Sequence, residues 1–297
     1  MADLLALLRS IDGLAGPART FLGPLAPGLR IGRPRPWPAV SAVSAAAWPA
    51  EGFAALPGTA PSALCAPLVE AIERLTGAGL PAMFLYLFDE PWQLGEAIAA
   101  RISARLGRRY AVVEDVWAWR IAPGLGGWPP HRGIASPILE RHAPQLVNTW
   151  VALSDVEADR ACMHFVPLDA DPSYPAALAT LDVPASAVRA VPLVAGDALA
   201  WNANILHWGG PCAPGARGPR VSCSFSLARE DAVAELGFPL AKAAANDLVA
   251  RLDAVARQLV IYGTGQPDVS EAVLAWANAS VAMRAAIASL SGRLPAR

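Results

Sequence analysis

Apolar residues follow two different periods along the chain, and each period occupies its own segment. From 110 to about 229, short apolar runs alternate with Gly, Pro and Asp, a spacing that is typical of strands in a β-sandwich or jelly roll. The predicted strands cover 110 to 122, 147 to 154, 162 to 167, 189 to 194, 198 to 206 and 220 to 227. The middle of the chain is therefore predicted to be mainly β.

Helical spacing prevails on both sides of this segment. The predicted helices cover 2 to 16, 62 to 78, 91 to 106, an apolar stripe from 240 to 259, and 269 to 291. Ser62 is the expected N-cap of the second helix. The stretch 17 to 61 is rich in Pro, Gly and Ala and is expected to be irregular, whereas 81 to 88 is expected to form a short strand.

The length and composition favour one globular domain. The chain has 297 residues, of which 54% are hydrophobic and 16% are charged, which excludes a disordered chain. We expect a single domain over 1–297, with a helical and irregular cover at 1–82, a jelly-roll core at about 83–228 and C-terminal helices at 230–293.

Charge and cysteine content narrow the class of partner. A net charge of −1 gives no electrostatic reason to expect a nucleic acid or an anionic membrane, so we expect a small-molecule substrate. The four cysteines form no CxxC pair, which favours buried thiols over a zinc site or disulfides.

The N-terminus lacks a basic segment before its apolar residues, and a cytoplasmic location is expected. The oligomeric state is left open.

Two histidines and one arginine stand at the ends of predicted strands. His131 follows a Gly- and Pro-rich loop after the first predicted strand, and His207 lies at the end of the strand 198 to 206. Arg220 opens the last predicted strand. Because strands that are distant in sequence are neighbours in a jelly roll, both imidazoles can meet at one mouth of the fold.

This order of residues resembles the motif of the phytanoyl-CoA dioxygenase-like branch of the Fe(II)/2-oxoglutarate-dependent oxygenases. That motif is HxD, then a distal histidine, then an arginine shortly after it; here it is carried by His131-Arg132-Gly133, His207 and Arg220. The segments 148 to 155, 162 to 167 and 196 to 198 also resemble the strands and turns of this family. The resemblance extends from about 83 to 228.

The resemblance implies a fold and a set of ligands. It implies a double-stranded β-helix core, in the jelly-roll or cupin-like class, that uses Fe(II), 2-oxoglutarate and O₂. Iron would be held by His131 and His207, and Arg220 would anchor the distal carboxylate of 2-oxoglutarate. Ser222, on the same strand face as Arg220, and Trp150 would assist it.

Gly133 departs from the motif, because it stands where the family has an iron-binding aspartate. Non-haem iron halogenases, which this variant resembles, have Ala or Gly at that position. The resemblance then implies that chloride or bromide fills the open coordination position and that a C–H bond is halogenated. Arg132 and Trp128 are candidates for the shell around the halide or the substrate.

Several alternatives stay open. A two-histidine hydroxylase would place solvent at the vacant position, and a carboxylate from elsewhere, namely Glu140, Asp155 or the more distant Asp115, would restore the usual ligand set. A non-catalytic jelly-roll binding protein would have no iron chemistry at all. His142 and His164 are expected to be structural or surface residues.

Overall fold

The fold is described from a computed structural model, which covers residues 20–32, 48–133, 144–174, 183–242 and 247–291. Contacts between residues divide the chain into two compact units. One unit comprises Pro36–Val69 and Gln93–Ala241, and the other comprises Met1–Arg35, Glu70–Trp92 and Lys242–Arg297. The single-domain organisation expected from the sequence stays a prediction.

The first unit contains two antiparallel sheets. The strands are β1 (Phe53–Leu56), β2 (Tyr110–Ile121), β3 (Leu146–Ala152), β4 (Met163–Val166), β5 (Arg189–Val191), β6 (Ala198–Asn202), β7 (Leu206–Gly209) and β8 (Arg220–Arg229). The larger sheet has five strands in the order β1-β6-β3-β8-β2, and the smaller has three in the order β5-β4-β7. This arrangement confirms the mainly β, jelly-roll class.

The two sheets enclose a shared core. Aromatic and aliphatic side chains from both sheets pack together, including Trp150, Trp201, Leu199, Phe165 and Met163. Side chains alternate between the two faces of a strand, so one face of each strand contributes to this core. The register pairs Trp150 with Ser224 and Leu199, and Ser222 with Trp119 and Ala152, which places these residues on the inner face of the larger sheet.

Most predicted elements form close to their expected bounds. The helices are Ser62–Gly77, Asp89–Leu106, Val233–Leu236, Leu248–Tyr262 and Glu271–Ser291. Asp247 caps the fourth of these through a hydrogen bond from the Ala250 amide to its carboxylate. The helix predicted at 2 to 16 lies outside the described residues.

Four predictions of local structure were wrong. The run 81 to 88 forms a 3₁₀-helix, Ala82–Leu87, whose side chains are all buried. The run 198 to 206 is broken by a turn in which the Ile205 amide donates to the Asn202 carbonyl, so His207 lies in the separate strand β7. Leu240 pairs with Val113 instead of opening a helix. Strand β1 occupies part of the stretch expected to be irregular.

The second unit is helical and contains a buried ion pair. The Arg251 guanidinium lies 2.7 Å from the Asp89 carboxylate, and both side chains are almost fully buried. Arg251 also donates to the Leu87 carbonyl, so it joins the last helical turn before Asp89 to the helix Leu248–Tyr262.

In the described part of the chain no helix combines the length and apolar character of a membrane span. All four cysteines are buried and unpaired by disulfides, as expected.

Candidate active site

His131 and His207 face each other across one rung of main-chain pairing. The His131 amide donates to the His207 carbonyl and the His207 amide donates to the His131 carbonyl, both at 3.0 Å. The two imidazole centroids are 4.2 Å apart. The pairing continues towards the preceding glycines, because Gly209 donates to the Trp128 carbonyl and Gly127 donates to the Gly210 carbonyl. The loop before His131 thus pairs with β7 at the side of the smaller sheet.

Both imidazoles have the tautomer that a metal site requires. Nδ1 of His131 lies 2.8 Å from the Pro129 carbonyl, and Nδ1 of His207 lies 2.9 Å from the Ile205 carbonyl. Since a carbonyl only accepts, Nδ1 carries the proton in each ring and the Nε2 lone pair is available to a metal ion. Burial lowers the pKa of His131, and burial together with the nearby His131 lowers the pKa of His207 to about 3. Both rings are therefore neutral at pH 7.

Among the residues that the structure describes, no third His, Cys, Asp or Glu joins these two to form a cluster of metal ligands. Asp155 is exposed, accepts from the Ala195 amide and lies 3.4 Å from Arg217, so it is engaged away from the histidines. Asp115 binds the Ser226 hydroxyl at 2.6 Å. Glu140 and His142 lie outside the described residues.

Gly133 lies in close contact with the turn after β6. Its amide donates to the Ala203 carbonyl at 2.8 Å. A Cβ at this position would stand 2.5 Å from that carbonyl oxygen and 3.0 Å from Asn148 Nδ2. A side chain at residue 133 would therefore require the main chain to move. Gly133 thus has a steric role, and this role does not depend on which ligand would bind the metal in place of a carboxylate.

Arg220 is a buried cation without a carboxylate partner in the described structure. Its side chain is inside the core, where Nη1 donates to the Ala161 carbonyl at 3.0 Å and the guanidinium lies over the rings of Trp150 and Trp119. Burial lowers its pKa to about 10, so it stays charged at neutral pH. Ala161 has a φ of 54°, which is an uncommon conformation for a residue with a side chain. The carbonyl that accepts the hydrogen bond from Arg220 therefore belongs to a residue with a strained backbone.

Several buried donors around Arg220 have no acceptor in the described structure. They are Arg220 Nε, Ser222 Oγ, Trp150 Nε1 and Trp119 Nε1. Unsatisfied buried polar groups are rare in folded proteins, because each costs about 1–3 kcal/mol. A carboxylate would accept from several of these groups and would neutralise the guanidinium, so the residues present fit the distal carboxylate of 2-oxoglutarate.

Arg132 contacts an acidic loop residue. Its Nη1 lies 2.7 Å from Asp171 Oδ2, with both side chains almost fully buried, and its Nη2 donates to the Ser173 hydroxyl. Burial acts to raise the pKa of Asp171, but hydrogen bonds from Arg132 and Ser173 outweigh burial and lower it. The guanidinium proposed for the halide or substrate shell is thus engaged in a structural pair that fixes the segment between His131 and Gly133.

The remaining predicted residues are placed as follows. The Trp128 ring lies edge-on to His131 at 6.0 Å, consistent with a position beside the histidines. His164 is outside this group, with Nδ1 3.1 Å from the Cys162 carbonyl and its ring stacked on Trp208 at 5.4 Å. Sequence reasoning missed Trp201, whose ring lies 4.9 Å from His207, because its cross-strand register could not be read from the sequence.

Comparison with known protein families gives a match over part of the chain. The family model for phytanoyl-CoA dioxygenase matches residues 96–217, less than half of the chain but a stretch that contains His131, Gly133 and His207. No curated protein sequence matches the chain.

Three solved structures illustrate the likeness, which is distant in each case. The epimerase SnoN from nogalamycin biosynthesis is 23% identical, with 61% of this chain and 79% of that chain covered and a TM-score of 0.44. HygX from Streptomyces hygroscopicus, with nickel and 2-oxoglutarate bound, is 15% identical, with 61% and 83% covered and a TM-score of 0.46. The nickel complex of the non-heme monooxygenase ThoJ is 16% identical, with 61% and 74% covered and a TM-score of 0.47.

The family match confirms the resemblance that the two histidines first suggested. It rests on sequence, whereas the burial of Arg220 and the pairing of His131 with His207 are features of the structure. Residues 96–217 therefore resemble phytanoyl-CoA dioxygenase, in the stretch where the motif was found in the sequence.

Proposed function

We propose that this enzyme halogenates an unactivated C–H bond of a small molecule, with Fe(II), 2-oxoglutarate, O₂ and chloride or bromide. The observation that carries the 2-oxoglutarate part of the proposal is the buried Arg220 and the buried donors around it. These donors have no acceptor among the described residues, and a carboxylate would supply one. Two neutral histidines supply nitrogen ligands for iron. Gly133 supplies no carboxylate, and an anion can compensate for the missing charge.

Each group of the chain has a defined task in this proposal. Bound iron, with 2-oxoglutarate and O₂, supplies the oxidising power that breaks the C–H bond. His131 and His207 hold the metal through Nε2, while the Pro129 and Ile205 carbonyls fix the two rings. Arg220, Ser222 and Trp150 orient the co-substrate from the inner face of the larger sheet. The aromatic core beneath them excludes water from the site.

A specific observation favours a second candidate, a two-histidine hydroxylase. Because a Cβ at residue 133 would collide with the Ala203 carbonyl, the glycine is required by packing alone. A glycine kept for packing needs no halide, and water could fill the coordination position. Halogenation and hydroxylation therefore differ in one measurable property, which is whether halide binds at the metal.

We expect chloride and bromide to shift the optical band of the anaerobic complex with Fe(II) and 2-oxoglutarate. The shift should saturate with halide concentration, because one halide replaces one ligand of the metal. The titration uses the wild-type protein, since Gly133→Asp would also disturb the contact with Ala203. Sulfate at matched ionic strength is the control and should leave the band unchanged. A band that forms but ignores both halides would instead identify the hydroxylase.

We expect His131→Ala and His207→Ala to abolish Fe(II) binding. Each removes one of only two protein ligands in the described structure, and a single imidazole holds a divalent ion weakly. Isothermal titration calorimetry under argon measures the loss. His164→Gln is the matched control, because His164 is bonded to the Cys162 carbonyl outside the pair and its replacement should preserve the affinity. Full iron affinity in either alanine variant would contradict the assignment.

A further inference from the structure

The Arg132 side chain contacts the turn that precedes His207. Its Nη1 donates to the Asn204 main-chain carbonyl at 3.2 Å. The next carbonyl along the chain, that of Ile205, lies 2.9 Å from Nδ1 of His207 and orients its ring. Because Arg132 directly follows His131 in the chain, one guanidinium links the two segments that carry the histidines.

The loop 171–174 holds the guanidinium in this orientation. Its Nη1 lies 2.7 Å from the Asp171 carboxylate, and its Nη2 donates to the Ser173 hydroxyl at 3.0 Å. The Ser173 hydroxyl and amide both donate to the second oxygen of Asp171. The guanidinium carbon is 5.9 Å from the centre of the Tyr174 ring. Arg132 is thus fixed by several partners at once and has little freedom to leave the turn.

The turn itself, residues 203–205, is bound by both of the segments that Arg132 joins. Asn204 Nδ2 donates to the Tyr174 hydroxyl at 3.1 Å, and Asn204 is 3% exposed. The Gly133 amide donates to the Ala203 carbonyl at 2.8 Å. The pairing of His131 with His207 sets the separation of their main chains, whereas this turn supplies the carbonyl that orients the His207 ring.

We propose that Arg132 is a positioning residue of the iron site, which orients the His207 imidazole by holding the turn 203–205 against the segment of His131. This inference rests on the proposed two-histidine iron site and adds a residue that sets its geometry. Groups that orient metal ligands typically contribute 10–100-fold to metal affinity. A site with two protein ligands depends strongly on such support, because a small displacement of either ligand weakens the grip on the ion.

The test separates positioning from stability. Arg132→Met with Asp171→Leu removes both charges of the buried pair, so this double variant should stay folded. It also removes the hydrogen bond to the Asn204 carbonyl. We expect its Fe(II) dissociation constant, measured by calorimetry under argon, to rise roughly tenfold or more although both histidines are present. With Co(II) in place of Fe(II), its visible bands should shift in energy, because they report the arrangement of the ligands.

Arg101→Met is the matched control. Arg101 also joins two segments through both Nη atoms, because it donates to the Thr59 hydroxyl and the Pro57 carbonyl from the helix Asp89–Leu106. We expect this variant to keep the Fe(II) affinity and the Co(II) bands of the wild type. Thermal melting reports whether each variant is folded. Arg132→Gln with Asp171→Asn keeps polar groups at both positions and serves the same comparison if the first double variant does not fold.

The outcomes distinguish this inference from the function on which it rests. If the wild-type protein binds no Fe(II), the iron site itself is wrong. If the wild type binds Fe(II) and the folded double variant keeps its affinity and its Co(II) bands, the iron site stands and the role of Arg132 is wrong. An equal loss of affinity in Arg101→Met would also overturn that role. Weaker binding with shifted bands in the double variant alone supports it.

Discussion

Arg220→Gln is expected to weaken 2-oxoglutarate binding by roughly 100-fold or more. Removing one partner of a buried charge pair costs about 2–5 kcal/mol, and each 1.4 kcal/mol corresponds to a tenfold change in affinity. Arg220 is 2% exposed, so solvent would not screen the pair. Calorimetric titration of the Fe(II) protein with 2-oxoglutarate measures the change. Ser222→Ala, which removes one neutral donor, should have a smaller effect of about tenfold.

A thermal shift gives an independent measurement of the same prediction. A ligand that binds only the folded state raises its melting temperature by mass action. We expect 2-oxoglutarate to raise the melting temperature of the wild type and to leave that of Arg220→Gln unchanged. Arg217→Gln is the control, because Arg217 is exposed and pairs with Asp155 and Glu157 at the surface. An undiminished thermal shift in Arg220→Gln would remove Arg220 from the co-substrate site.

Arg132→Met is expected to lower the free energy of unfolding by about 3–5 kcal/mol, because it leaves the Asp171 carboxylate buried without its cation. The two side chains are 3% and 0% exposed. Urea denaturation of the metal-free protein measures the loss. The double variant Arg132→Met with Asp171→Leu, which removes both charges, should recover much of the stability. Arg74→Gln, which breaks an exposed pair with Glu70, should cost less than about 1 kcal/mol.

The same ion pair has a defined dependence on pH. The pKa of Asp171 is lowered in the folded state, so the group binds protons less tightly there than in the unfolded chain, where an aspartate has a pKa of about 3.9. Its contribution to stability is therefore present above about pH 4 and is lost as the pH falls through its folded-state pKa. In Asp171→Asn the acid-side loss of stability should be smaller than in the wild type.

The residues of the motif could be found from the sequence because their spacing reflects the strands that carry them. Arg220 and Ser222 are two positions apart on a strand, which places both on one face, and the structure bears out that placement. His131 and His207 come from segments that pair in the fold. The alternation of apolar residues likewise predicted most strands to within a few residues.

The contacts that the sequence could not supply depend on tertiary structure. The pair between Arg132 and Asp171 joins two loops, and the approach of Asn148 to Gly133 follows from the register of β3 with its neighbours. Neither has a local signal. The break in the run 198 to 206 did have a weak local signal, because Asn202 and Asn204 favour turns. The apolar residues around them nevertheless predicted one continuous strand.

The rung of hydrogen bonds between His131 and His207 has a consequence for the energetics of metal capture. These residues are far apart along the chain, and bringing them together costs conformational entropy. Because their amides and carbonyls bond to each other, the main-chain ladder itself fixes the spacing of the two imidazoles. A substitution that weakens this ladder should therefore lower iron affinity even where both imidazoles are kept.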